Sequence, residues 1–381
     1  MAVGVKNEVD ILLDLVAIPS VSALSNRPVI DYALDYLDNS VWHTELFEYR
    51  DGTGEEKANL VAMSRARGML WRESELALVC HTDTVPFDPA WQDAVNPEVR
   101  NGDLFGRGSC DVKGFLACIL ASVSQMDMTR LRKPLAIVLT ADEEIGCIGA
   151  KYLAGKARFR SRFAIVGEPT GLHAVRAGKG YALGEIIVSG KEAHSAFPDR
   201  GRSAIRDAAR VIDGLDRVAR KLSARKNRNF DPAYTTLNVG VIQGGTAKNI
   251  IPGECRLTVE WRPIPGQDPK WAAELIEAEL RLLARRFPGL RARFNVKRMD
   301  PAFEPSATDD LAKLVQSITR RRPTTVSFGT EAPHMAKLAD EVIVCGPGNM
   351  GTAHTNSERV PIAELSKCVS LLKLVIERLC E

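Results

Sequence analysis

Leu76-Ala77-Leu78-Val79-Cys80-His81-Thr82-Asp83 and Leu135-Ala136-Ile137-Val138-Leu139-Thr140-Ala141-Asp142-Glu143-Glu144 are the stretches on which the fold turns. Each opens as a short unbroken apolar run and closes in ionisable residues. Such a run predicts a strand buried on both faces, as in parallel sheets covered by helices. Phe163-Ala164-Ile165-Val166 repeats the pattern and runs into Gly167-Glu168-Pro169-Thr170. Between the first two runs, apolar residues over 115–123 predict a helix. Strands of this kind separated by helices predict an α/β fold with an open, mostly parallel sheet flanked by helices.

Outward from these runs, helical spacing of apolar residues predicts helices at 9–18 and 29–37. Beyond Gly178 the style changes. Strands are predicted at 181–188, 236–242, 256–261 and 291–297, the last as an edge strand, and helices at 202–222 and 271–286. That β-α-β-β-α-β order is the ferredoxin-like α+β arrangement. After Pro301 the first style resumes with a helix at 309–320, a strand at 342–345 and a last helix at 362–379. The expected organisation is a first domain made of 1–178 and 299–381, with 179–298 inserted as a second.

The 381 residues carry 51 Lys plus Arg against 48 Asp plus Glu, a net charge of +3, which argues against a general role on nucleic acid or membrane surfaces. Basic stretches at 156–162, 217–228 and 320–322 read as solvated helix faces. No apolar run approaches the ~18–20 residues that span a bilayer, and Met1–Asp10 lacks the pattern of a secretory leader. The eight cysteines form no Cys-x-x-Cys pair. They read as reduced, mostly buried thiols, and a cytoplasmic location is expected.

Ligands of α/β sheets bind where strands end, and each predicted strand here ends in a residue able to bind a metal. His81 and Asp83 stand two apart, so an extended backbone turns both to one side, where the carboxylate can orient the imidazole. Gly106-Arg107-Gly108-Ser109-Cys110-Asp111-Val112-Lys113-Gly114 opens the apolar helix without the spacing of a nucleotide P-loop. Asp111 may be read there as a helix N-cap or as a ligand. Asp142, Glu143 and Glu144 repel one another unless a cation or proton compensates. Glu168 and the loop Thr352-Ala353-His354-Thr355-Asn356 complete the set. Two imidazoles with several carboxylates make a ligand set for a pair of Zn²⁺ or Co²⁺ ions bridged by a carboxylate.

On these segments, with Gly244-Gly245-Thr246-Ala247-Lys248-Asn249-Ile250-Ile251-Pro252 and Thr330-Glu331-Ala332-Pro333, the chain resembles the M20 family of co-catalytic metallopeptidases and amidohydrolases, and within it the acetylornithine deacetylase branch. The resemblance spans nearly the whole chain. It implies that two divalent ions, Zn²⁺ or Co²⁺, are held by His81 and Glu168 on one side and by Glu144 and His354 on the other, with Asp111 between. It makes Asp83 the residue that orients His81, and Glu143 the general base. It assigns the inserted domain as a lid and dimerisation domain whose His194 reaches the oxyanion, and places Asn249 and Arg262 at the substrate's α-carboxylate. Gly329, Thr330 and Glu331 are placed at the substrate, Glu331 facing a cationic tail. A surface-loop histidine and an ordinary strand-end charge remain the other readings of His194 and Arg262.

The activity so implied is hydrolysis of an N-acyl amino acid with a free α-carboxylate, N²-acetyl-L-ornithine foremost, by a cytoplasmic homodimer. Deacetylation of acetylcitrulline, desuccinylation of succinyl-diaminopimelate, carboxypeptidase or dipeptidase action, and a ligand-binding protein without chemistry remain as alternatives. No role is given to His43, His173 or His334. Cys80 and Cys110 flank the site with side chains expected to alternate away from it, and raise the question of oxidation.

Overall fold

The computed structural model describes residues 6–65 and 72–381, and the chain divides into two compact units. The reading of Met1–Asp10 falls partly on Met1–Val5, which lie outside the described residues. Among the described residues no helix is long and apolar enough to cross a membrane. All eight cysteines are buried, and none forms a disulfide among the described residues.

The first unit comprises Met1–Arg176, Pro305–Thr324 and Thr330–Glu381. The sheet it is built on has eight strands, in the spatial order Trp42–Arg50, Glu56–Ser64, Leu135–Thr140, Glu73–His81, Arg160–Val166, Ala339–Val344, Val175–Gly178 and Thr324–Val326, the last two running past the unit's bounds at Arg176 and Thr324. The four central strands run parallel, and antiparallel neighbours flank them. Every residue of Leu135–Thr140 is buried, as a continuous apolar run must be when both faces are covered. Helix Lys113–Ser124 is buried all round from Lys113 to Val123. It packs between helices Glu8–Ala17 and Ile362–Cys380 in one hydrophobic core with the sheet. Its apolar residues surround its axis, which suits an interior helix rather than a surface one.

Parallel register puts the strand ends on one edge. His81 pairs with Thr140, and Val79 with Val166. The segments carrying Asp83, Glu143, Glu144 and Glu168 therefore leave the sheet side by side. Gly167 lets the third of them close on the buried helix: a Cβ there would lie 2.1 Å from Phe115 Cδ1.

The hairpin Trp42–Arg50/Glu56–Ser64 is absent from the sequence reading, although it extends the sheet on one side. Its outer strand is only half-buried and studded with charge, so neither apolar continuity nor clean alternation announces it. A small sheet of Arg359–Pro361, Asp103–Phe105 and Glu98–Arg100 was likewise unforeseen.

The second unit comprises Ala177–Glu304 and Thr325–Gly329. Its four antiparallel strands lie in the order Thr236–Gly244, Glu254–Arg262, Tyr181–Ser189, Arg291–Asp300, against helices Ala204–Ser223 and Pro269–Arg286. In the first helix Ala204, Ala208, Val211, Leu215, Val218 and Leu222 are buried at three- and four-residue spacing, and Ser203 Oγ caps the Arg206 N–H. The unit extends past 298 because the last strand pairs along its length with Tyr181–Ser189, ending Asp300 against Tyr181. It regains 325–329 because Ser327 Oγ donates to the Asp231 carbonyl at 2.8 Å.

Candidate metal centre

His81 ends its strand 1% exposed. With Nδ1 protonated, the ring donates to the Asp83 carbonyl oxygen at 3.0 Å, leaving the Nε2 lone pair aimed at Asp111 Oδ1, 3.2 Å away. Orientation of the imidazole thus comes first from the main chain of Asp83, whose carboxylate stands at 3.7 Å. That carboxylate instead takes the turn after the neighbouring strand: Oδ1 accepts the Glu143 N–H at 3.0 Å, and Oδ2 accepts the Glu144 N–H at 3.3 Å and the Ser22 hydroxyl at 2.7 Å. One side chain aligns the histidine strand with the two glutamates.

Asp111 divides its oxygens between two imidazoles. Oδ1 faces His81 Nε2 and Oδ2 faces His354 Nε2, each at 3.2 Å, and Glu144 Oε2 approaches His354 Nε2 at 3.3 Å. The N-cap reading of Asp111 fails, because the helix it precedes is capped by Val112 without a side-chain bond. Nor are the loop's N–H groups open to a phosphate: those of Cys110 and Asp111 donate to Glu358, so the loop supplies its own anion. Asp142 and His354 hold left-handed backbone, φ 56° and 60°, a conformation that costs a non-glycine residue about 1 kcal/mol or more.

These atoms suit cations. Donors around a tetrahedral ion at about 2.0–2.1 Å stand about 3.3–3.4 Å apart, close to the separations between Asp111, Glu144 and the two imidazoles. One donor atom each from His81, Asp111 and Glu144 lies within 4.8 Å of the others. Glu144 Oε1 is buried and has no hydrogen-bond partner. Glu168, 4% exposed, is pushed well up by burial, with Asp111, Glu143 and Glu144 adding repulsion. Burial likewise pushes Glu143 up to about 8. Hydrogen bonds to Asp111 and Glu144 raise His354 to about 10. Burial alone would raise Asp111, but the two imidazoles hold it low. Excess negative charge is here balanced by protons, and divalent ions can replace them.

Behind this cluster stand residues the sequence reading passed over. Tyr49 Oη donates to Asp142 Oδ2 at 2.7 Å. Lys57, 1% exposed, lies 3.2 Å from Asp142 Oδ1 and donates to the carbonyls of Ser22 and Leu24 at 2.6 Å. A lysine inside a strand gives no signal of this kind, because its partners lie far away in sequence. The thiols of Cys80 and Cys110 turn to backbone carbonyls of His81 and Asn349. Burial pushes both up, which disfavours the reactive thiolate.

Glu331 is drawn in against the end of the neighbouring strand. It is 1% exposed, its Oε2 accepts the Thr140 hydroxyl at 2.7 Å, and burial pushes it up to about 7. It braces the strand end beside His81. Thr330 Oγ1 accepts the Ala332 N–H at 3.2 Å and so starts the short helix Ala332–Met335. Gly329 ends the second unit.

The second unit gathers its own polar cluster. His194 and Ile250 pair in a two-stranded sheet, and the Asn249 carbonyl accepts the Ser195 N–H at 3.0 Å, so His194 and Asn249 sit together, both exposed. Arg262 ends the strand Glu254–Arg262 with its guanidinium 4.9 Å from the Tyr181 ring centre.

Residues 77–378 match the family model described as Peptidase family M20/M25/M40. An acetylornithine deacetylase of Myxococcus xanthus is 44% identical over 370 residues, covering 97% of this chain and 96% of that protein. One from Proteus mirabilis is 32% identical over 383 residues, covering 98% and 96%. A solved tripeptidase from Staphylococcus aureus shares the fold with a TM-score of 0.77 at 22% identity, covering 100% of this chain and 99% of its own.

Proposed function

The chain belongs to peptidase family M20/M25/M40 and is a hydrolase of that family, and from this premise we propose that it cleaves N²-acetyl-L-ornithine to L-ornithine and acetate. The substrate is carried by one observation, the 44% identity over nearly the full chain to a protein named acetylornithine deacetylase. The chemistry is supported by the sharing of Asp111 between His81 and His354.

In this reading His81 and Glu168 hold one ion, Glu144 and His354 the other, and Asp111 lies between. Zn²⁺ or Co²⁺ bound there supplies Lewis-acid polarisation of the amide carbonyl and an acidified water with a pKa of about 7. Glu143 accepts the proton of the attacking water and later delivers it to the departing amine. A carboxylate whose pKa is raised by burial takes that proton more readily than an ordinary glutamate would. Asp83 keeps Glu143 and Glu144 on divergent courses through their N–H groups. His194 donates to the developing oxyanion, and Asn249 with Arg262 takes the α-carboxylate, for which a guanidinium fork is suited. Gly329 and Thr330 border the substrate.

The assembly proposed is a cytoplasmic homodimer through the inserted unit, which would serve as a lid. Strand Thr236–Gly244 is an edge of its sheet and exposes Val241 (48%) and Ile242 (52%). Open apolar edges of this kind are usually covered by another chain.

The test is amide hydrolysis after chelation and again after Zn²⁺ or Co²⁺ is restored, on acetylornithine, acetylcitrulline, succinyl-diaminopimelate and a dipeptide. Metal-restored turnover fastest on acetylornithine is expected. Preference for another member would discard the substrate and keep the chemistry. Absence of turnover with metal demonstrably bound would count against both.

A further inference from the structure

Glu358 has no part in the roles above, yet its side chain is fully buried against the backbone of the bridging carboxylate. Oε1 accepts the N–H of Cys110 at 3.1 Å and of Asp111 at 3.0 Å, and Oε2 accepts from Arg107 Nη1 at 2.6 Å. Arg107 is buried as well. Its Nη2 donates to the Pro86 carbonyl at 3.3 Å, and its guanidinium lies 5.1 Å from the Trp91 ring centre. The Gly106 N–H in turn donates to the Glu358 carbonyl at 3.1 Å. Four residues before Glu358, on the same loop, is His354, whose Nε2 stands 3.2 Å from Asp111 Oδ2.

A buried ion pair is a poor source of stability, because desolvation offsets most of its attraction. What three charge-assisted bonds to one carboxylate do provide is direction. They fix the peptide from which the Asp111 side chain springs, and tie to it the loop that carries His354. We infer that Glu358 is a positioning residue of the metal centre. It sets the bridging carboxylate through the Asp111 N–H and His354 through its own loop, and Arg107 keeps its charge in place. This rests on the metal-dependent reading above, and partners one step behind a ligand commonly change metal affinity by about 10–100-fold when removed.

The experiment is Co²⁺ titration of chelator-stripped wild-type protein and Glu358→Gln against a chromophoric chelator. The visible spectrum of the bound ion and thermal unfolding of the metal-free proteins are recorded alongside. The Gln amide keeps the volume, but its NH₂ meets the Arg107 Nη1 donor, so the clamp turns or opens. Expected are an affinity for at least one ion lower by about 10–100-fold and an altered spectrum, with cooperative unfolding retained. A variant with wild-type affinity and spectrum, whatever its melting temperature, would overturn the inference. Should Glu358→Gln not fold, Arg107→Gln decides: affinity weaker by about tenfold or more sustains the inference, and a smaller change or none ends it. Wild-type protein that took up no Co²⁺ would refute the metal reading itself, a result separate from either.

Discussion

A single hydrogen bond, 3.0 Å from the Glu143 N–H to Asp83 Oδ1, joins the proposed base to the loop after the histidine strand. Because the other oxygen of Asp83 accepts the next N–H, that of Glu144, the two glutamates leave one fixed corner with different headings. Asp83→Asn places an NH₂ where one of these acceptors stood and sets donor against donor. A kcat lower by about 10–100-fold is expected, with KM changed less. Steady-state kinetics with metal in excess checks it, and an unchanged kcat would remove Asp83 from the machinery.

Glu143 is the proposed proton carrier and not a ligand, so its removal separates chemistry from metal binding. Glu143→Gln should lose about 10²–10⁴-fold in kcat while retaining the wild-type metal content by elemental analysis. Loss of metal in parallel with activity would reassign Glu143 as a ligand.

Proton release on metal binding follows from the shifted groups. In metal-free protein Glu143 is raised from 4.5 to about 8 and His354 from 6.5 to about 10. For a raised pKa, the stability contribution is complete below the unfolded value and is lost as pH rises through the folded value. The metal-free fold should therefore weaken as pH climbs from about 4.5 through 8 for Glu143, and from about 6.5 through 10 for His354. Metal binding needs unprotonated donors, so it should release protons at pH 7 and tighten with rising pH. Calorimetry in buffers of different ionisation heat measures that release, and a count of zero would contradict the protonated metal-free site.

Gly167 is a packing requirement next to a proposed ligand. A methyl group there would meet Phe115 Cδ1 at 2.1 Å, and the ring, buried in the central helix, has little room to retreat. Gly167→Ala should cost about 1–3 kcal/mol by overpacking, read as a lower urea midpoint with unchanged m-value. Metal affinity should fall with it, because Glu168 is the next residue.

The proposed dimer depends on the exposed edge of the second unit. Ile242→Lys puts a charge on that edge, which disfavours pairing, and should shift the mass in solution from twice 41.7 kDa toward 41.7 kDa. A wild-type mass of 41.7 kDa by light scattering would end the dimer reading.

Much of this architecture was legible in linear form. Three of the four central strands and helix Lys113–Ser124 are read from unbroken apolar runs, because burial on both faces demands residues that lose nothing on leaving water. The four strands and two helices of the second unit were visible from their changing periodicity. The candidate metal donors stood out because ionisable residues directly after such strands have a functional explanation before a packing one. What stayed hidden were residues whose meaning lies in a distant partner. Lys57 is ordinary until Asp142 folds beside it, and nothing in the sequence shows that Glu331 accepts from Thr140, 191 residues away.

The sequence by itself determined most of the elements, their order and the residue types of the candidate metal centre, since periodicity and side-chain chemistry are local properties. Only the tertiary structure decided that Asp111 would be shared by His81 and His354, and that Glu358 would grip its backbone from a loop 247 residues away. Hydrogen bonds and ion pairs act over a few ångströms in space and carry no trace of sequence distance, so the folded chain alone selects which charges meet.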